Sequence, residues 1–156
     1  MEKEQYLATT TTNYNDMTNV FIKHKLIGVN YTFRGIHCWK TCDINQVRFL
    51  KNEHHHEFTI NVEIAVNHDD RDIEFIMLQQ VVEGIIHTSY PNYNTEPSYK
   101  NYIPYTANLI GNSCEMICDH MINELIKLYG ERRIIVSVCE DGHYYGKIEH
   151  IPFKDR

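Results

Sequence analysis

Ten histidines stand in this chain of 156 residues, and three of them, His54, His55 and His56, are consecutive. Imidazole is the commonest metal ligand among side chains and the group that titrates nearest neutral pH, so metal binding is the first chemistry to test against the sequence. Side chains two apart on an extended strand share a face. His54 and His56 therefore converge on one side while His55 turns away. His37 lies near the end of a preceding strand-like run. If the two strands pair antiparallel, the end of the first lies beside the start of the second, and His37 joins the pair. Three imidazoles with a fourth position open to water or substrate are the ligand set of a catalytic zinc rather than of a closed structural one. Spacing alone also fits an exposed polar strand start beside a hydrogen-bonded core histidine.

The elements that must position these residues follow from hydrophobic patterning. Residues 1–17 are polar, Thr-rich and aperiodic, which predicts a loose arm ahead of a single domain over 18–156. From Val20 to Trp39 apolar and polar residues alternate through much of the run, as in a half-buried strand. Asp43–Glu53 reads as a polar connection. His55–Asn67 alternates most clearly, with Phe58, Ile60, Val62, Ile64 and Val66 on one face. Asp69, Asp70 and Asp72 suit the positive end of a helix dipole, and Phe75, Leu78, Val82 and Ile85 then recur at amphipathic helical spacing. Ser89–Gly111, with three prolines, reads as a long loop of the kind that serves a site or an interface. Asn112 or Ser113 can cap a second helix, along which Met116, Ile117, His120, Met121, Leu125 and Leu128 share a side before Gly130 stops it. Two final strands meet at Asp141-Gly142, a turn dipeptide. The spacing of Cys114, Cys118 and His120 is that of a helix face, which places them in the core. The expected order is ββααββ.

With 15 basic and 21 acidic residues the formal charge is −6, which argues against a protein whose main task is neutralising nucleic-acid phosphates. A hydrophobic fraction of 42% is enough for a core and excludes wholesale disorder. Neither an apolar run near the ~20 residues of a membrane helix nor an apolar secretion segment in MEKEQYLATTTTNYNDM is present. A cytoplasmic protein is expected, with no nucleic-acid or membrane partner. Its five cysteines should then be reduced thiols.

Five segments in register carry a resemblance. Phe33-Arg34-Gly35-Ile36-His37 resembles the F-S-A-S-H of the 6-pyruvoyltetrahydropterin synthase family, which includes the 6-carboxytetrahydropterin synthases of queuosine biosynthesis. His54-His55-His56-Glu57-Phe58 resembles its H-G-H-N-Y, and Glu74–Gln79 its D-F-x-x-L-K. Ser113-Cys114-Glu115 is similar to T-T-E or T-S-E, and Val136-Ser137-Val138-Cys139-Glu140 to V-x-V-x-E. The likeness runs from about Tyr31 to Ile151. It implies an α+β tunnelling fold: a four-stranded antiparallel sheet with two antiparallel helices on one face. It also implies a homo-oligomer, a hexamer of two stacked trimers with sites between subunits.

The function implied is that of a zinc-dependent carbon–oxygen lyase acting on 7,8-dihydroneopterin triphosphate or a related pterin. His37, His54 and His56 would hold zinc, which acts on the substrate side chain as a Lewis acid. Glu140 would anchor the pterin ring, because a carboxylate accepts two parallel hydrogen bonds from a ring N–H and an exocyclic amine. Ser113 and Glu115 would complete the binding side, although Glu115 also fits an ordinary first-turn glutamate.

The pattern breaks at the proton-handling groups. The family's catalytic cysteine upstream of H-G-H would fall at Leu50 or Arg48, neither of which can take a proton from carbon. Cys42 and Glu53 are the candidate substitutes. The family's Asp-His pair corresponds to Ile86-His87, so His87 stands without its carboxylate and its tautomer is unset. The alternative is a non-catalytic or repurposed protein that keeps the fold and the zinc site and binds a pterin or purine-like ligand.

Overall fold

The computed structural model describes residues 25–93 and 104–153. The expected arm over 1–17 and the start of the first strand at Val20 lie outside them. In chain order the elements are β1 (Lys25–His37), a 3-10 segment (Asn45–Lys51), β2 (His54–Val66), α1 (Phe75–Ser89), β3 (Thr106–Asn108), α2 (Cys114–Tyr129), β4 (Ile134–Glu140) and β5 (Tyr144–His150). Five strands form one sheet in the order β3-β1-β2-β4-β5. The expected four-stranded antiparallel sheet is thus corrected to a mixed, five-stranded one. β3 adds parallel to β1, pairing Arg34 with Thr106 and Ile36 with Asn108. It interrupts the stretch read as loop, where a three-residue strand leaves too few positions for alternation to show.

The core lies between one sheet face and the two helices. Alternation in β2 buries Phe58, Ile60, Val62 and Ile64, which meet Leu78, Val82 and Ile86 of α1 and Ile117, Met121 and Leu125 of α2 in one apolar cluster. Other expected helix positions differ. Phe75 opens α1 but is exposed, and so are Met116 and Leu128 on α2. The acidic trio does not start α1 either. Glu74 caps it, accepting a hydrogen bond from Met77 N at 2.9 Å. Asp72 instead accepts from Asn67 N and from the Arg132 guanidinium, and Arg132 also donates to Ala65 O, tying the end of α2 to β2. Ser113 caps α2 through Met116 N, and Gly130 ends it with φ +77. Among the described residues no helix is long and apolar enough to cross a membrane.

One glycine governs the packing beneath the histidines. Gly35 pairs across the sheet with His56, and a Cβ there would lie 2.7 Å from Leu109 Cδ1 and 2.8 Å from the Phe58 ring. Both neighbours are buried and have no room to retreat. The Gly35→Ala change should destabilise the fold by about 1–3 kcal/mol through overpacking, measured as a lower denaturation midpoint; an unchanged midpoint would show that Phe58 yields.

Candidate metal centre and adjoining cavity

β1 and β2 pair antiparallel with His37 opposite His54, so the strand ends meet as the alternation requires. His54 and His56 lie on the face of Phe58, while His55 is exposed. Ring centroids are 4.5 Å apart for His37–His54, 5.1 Å for His37–His56 and 5.0 Å for His54–His56. One nitrogen from each ring lies within 4.8 Å of the other two. Beside them the Phe58 ring stands nearly perpendicular to those of His37 and His56, an apolar neighbour.

The donor chemistry fits a metal. Nε2 of His37 and of His54 are buried without a hydrogen-bond partner, a costly state for imidazole nitrogens unless another electron acceptor takes their lone pairs. The Nδ1 atoms are occupied elsewhere: His54 Nδ1 is 2.6 Å from Asn52 O, and His56 Nδ1 is 2.6 Å from Asp141 Oδ2. Burial, followed by its neighbours His54 and His56, pushes His37 down to about 4, so its ring is neutral at physiological pH, the form that ligates. Glu140 Oε1 stands 3.4 Å from His37 Nε2 but makes no hydrogen bond to it, and with the ring neutral the two form no ion pair.

The triad opens into a cavity of about 680 Å³, lined by His37 and His54, by Trp39, Leu50 and Asn112, by Ser113, Cys114 and Glu115 at the start of α2, and by Glu140, Tyr144 and Tyr145. The mouth of α2 sits tight on the sheet: a Cβ at Gly146 of β5 would approach Cys114 Cβ and Glu115 N to 3.0 Å. That contact sets Cys114 beside Glu140, with Sγ donating to Oε1 at 3.9 Å. Burial and the Glu140 carboxylate push the thiol up to about 12, so it stays protonated and acts as a donor. Glu115 is held below the usual carboxylate range by hydrogen bonds from its own backbone N–H and from Ser113.

The structure therefore brings together His37, His54, His56, Glu140, Ser113 and Glu115. It does not bring the three candidate proton carriers there. Cys42 is fully buried, its thiol directed at Ile44 O and Val47 O, as a filler of the turn that precedes the 3-10 segment. Glu53 accepts from Tyr93 Oη at 2.5 Å and does not line the cavity. His87 lies on α1, its Nε2 2.9 Å from Tyr31 Oη and its ring stacked on Tyr105 at 3.9 Å. Of the two positions considered for the missing cysteine, Leu50 faces the cavity, whereas Arg48 donates to Asn45. The expected core trio also divides. Cys118 is buried, Cys114 lines the cavity, and His120 is half-buried with Nε2 2.7 Å from Ser89 Oγ. Sequence reasoning missed Cys114 and Asp141 as site residues; Asp141 looked like a turn residue only.

No family model matches the chain, and no curated protein matches its sequence. Solved structures do. A 6-pyruvoyltetrahydropterin synthase of Plasmodium vivax, in a form with a catalytic glutamate replaced by alanine, matches with a TM-score of 0.54 at 14% identity, over 83% of this chain and 99% of that one. The Plasmodium falciparum synthase matches with a TM-score of 0.53 at 15% identity, over 82% and 98%. An uncharacterized protein of Wolinella succinogenes gives 0.54 at 12%, over 81% and 98%. These likenesses show an α+β fold of the 6-pyruvoyltetrahydropterin synthase type.

Purified without chelator and dialysed against zinc, the chain should carry about one metal per protomer by elemental analysis. His54→Ala should remove most of it and His55→Ala should not. Metal loss with His55→Ala alone would put the strand register off by one.

Proposed function

We propose that this chain binds zinc at His37, His54 and His56 and a pterin against Glu140, and that it is a lyase of the 6-pyruvoyl/6-carboxytetrahydropterin synthase type acting on 7,8-dihydroneopterin triphosphate or a related pterin. The observation that carries this reading is the pair of buried, unsatisfied Nε2 atoms on His37 and His54, two residues that line the same cavity as Glu140. Bound zinc would supply Lewis-acid polarisation of oxygens on the substrate side chain. Glu140 accepts the donor pair of a 2-amino-4-oxopyrimidine edge, and the Cys114 thiol, donating to Oε1, orients that carboxylate. Tyr144 and Tyr145 at the cavity offer aromatic faces to a flat heterocycle.

A second reading, that of a pterin- or purine-binding protein without turnover, is favoured by one observation. The cavity position that matches the family's cysteine is Leu50, and this chain's own Cys42, Glu53 and His87 have other partners. Incubation with dihydroneopterin triphosphate and zinc separates the two: release of triphosphate supports the lyase, and tight binding without release supports the binder.

Ring anchoring is common to both. Glu140→Ala leaves ring donors facing no acceptor, at roughly 1–3 kcal/mol for each buried unmet group, so calorimetry with neopterin should show affinity falling by about tenfold or more. Equal affinity, or no binding by either protein, would remove the pterin pocket.

The assembly proposed is a homo-hexamer, a dimer of trimers. Among the described residues β5 is an open edge of the sheet, whereas the outer side of β3 is taken by Pro91, Asn92 and Tyr93, and an open edge favours pairing with a further strand. On α1, Phe75, Ile76 and Met77 are exposed, an apolar surface that a neighbour would cover. Light scattering at micromolar concentration should give a multiple of the protomer mass; a stable monomer would contradict this.

A further inference from the structure

We propose that Asp141 is a positioning residue for the metal centre, holding His56 in the tautomer that offers Nε2 to the ion. This rests on the zinc reading given above. Asp141 follows the last residue of β4, and its carboxylate is shared between two donors: Oδ2 lies 2.6 Å from His56 Nδ1, and Oδ1 accepts from Glu57 N at 2.9 Å. Its own N–H donates to Glu57 O at 2.9 Å. The residue sits in the left-handed region, φ +48, a conformation that Asp, Asn and Gly tolerate best. The turn thus bends the chain back so that the side chain faces β2. With both oxygens turned to ring and backbone N–H groups, the carboxyl serves as an acceptor, as an aspartate does at neutral pH.

A carboxylate can only accept. Nδ1 of His56 must therefore carry the ring proton, which leaves the lone pair on Nε2. An anionic acceptor also raises the electron density of the ring and so its strength as a ligand. His54 gets the same orientation from a backbone carbonyl, Asn52 O. Among the described residues, Asp141 supplies the carboxylate hydrogen-bonded to a ring of the triad.

Asp141 also clamps the end of β4 to β2 through Glu57, so the test must separate orientation from clamping. Asp141→Asn keeps the backbone bond and the tolerance for positive φ, but its amide can serve only one donor as an acceptor. With its oxygen on Glu57 N, its NH2 faces His56 Nδ1 and favours the Nε2–H tautomer. Asp141→Gly keeps the turn and removes the carboxylate. Zinc affinity measured by competition with a chromophoric chelator should fall by roughly 10–100-fold in Asp141→Asn, with the metal-free melting midpoint close to wild type. In the metal-free protein, ring ¹⁵N–¹H spectra should move the His56 proton from Nδ1 to Nε2. The Gly variant should lose affinity too. Wild-type affinity in both variants, or an affinity loss that tracks a lowered metal-free midpoint with the His56 tautomer unchanged, overturns the proposal. If the wild-type chain takes up no zinc, the metal reading fails instead, and the tautomer spectra still decide whether Asp141 sets the ring.

Discussion

The register between β1 and β2 is the constraint on which the site depends. His37 opposite His54 and Gly35 opposite His56 place three imidazoles at one end of the buried face, above Phe58. Side chains alternate with a period of two, so a slip by one residue would send His55 inward and the whole Phe58–Ile64 row outward. The apolar burial that stabilises the sheet and the geometry of the triad are therefore one requirement. Any sequence that keeps the core of β2 in place also keeps His54 and His56 together.

The second constraint is the seating of α2. Gly146 lets the first turn of the helix press against β5, and this brings Ser113, Cys114 and Glu115 to the wall opposite the histidines. The cavity is the gap between that helix start, the sheet end and the residues that follow β1. Its polar groups are few and convergent, amid apolar and aromatic lining, which is the composition of a small-molecule site. Glu140 stands between the two halves, near His37 on one side and Cys114 on the other.

Much of this was legible in the sequence because it rests on periodicity. The alternation from Phe58 to Val66 gave β2, and two-residue spacing separated His55 from its neighbours. The helices were visible, yet their buried faces were not fully so: Phe75, Met116 and Leu128 fit the apolar stripe but are exposed, and an exposed apolar residue has the same letter as a buried one. β3 escaped because three residues among prolines carry no pattern. Asp141 escaped because its role depends on a contact across 85 positions of chain, and Cys114 because helix spacing alone cannot tell a core face from a cavity wall. The resemblance in five short segments reached the fold where overall identity of 12–15% does not reach the activity.

The central claim is that three imidazoles of one protomer hold a metal at the mouth of the Glu140 cavity. X-ray absorption at the zinc edge of the zinc-loaded protein tests it most directly. The account requires a first shell of three imidazole nitrogens at roughly 2.0–2.1 Å with a light atom in the remaining place. A sulfur shell near ~2.3 Å, which would bring Cys38, Cys42 or Cys114 into the coordination, or a spectrum of hydrated zinc alone, would contradict it.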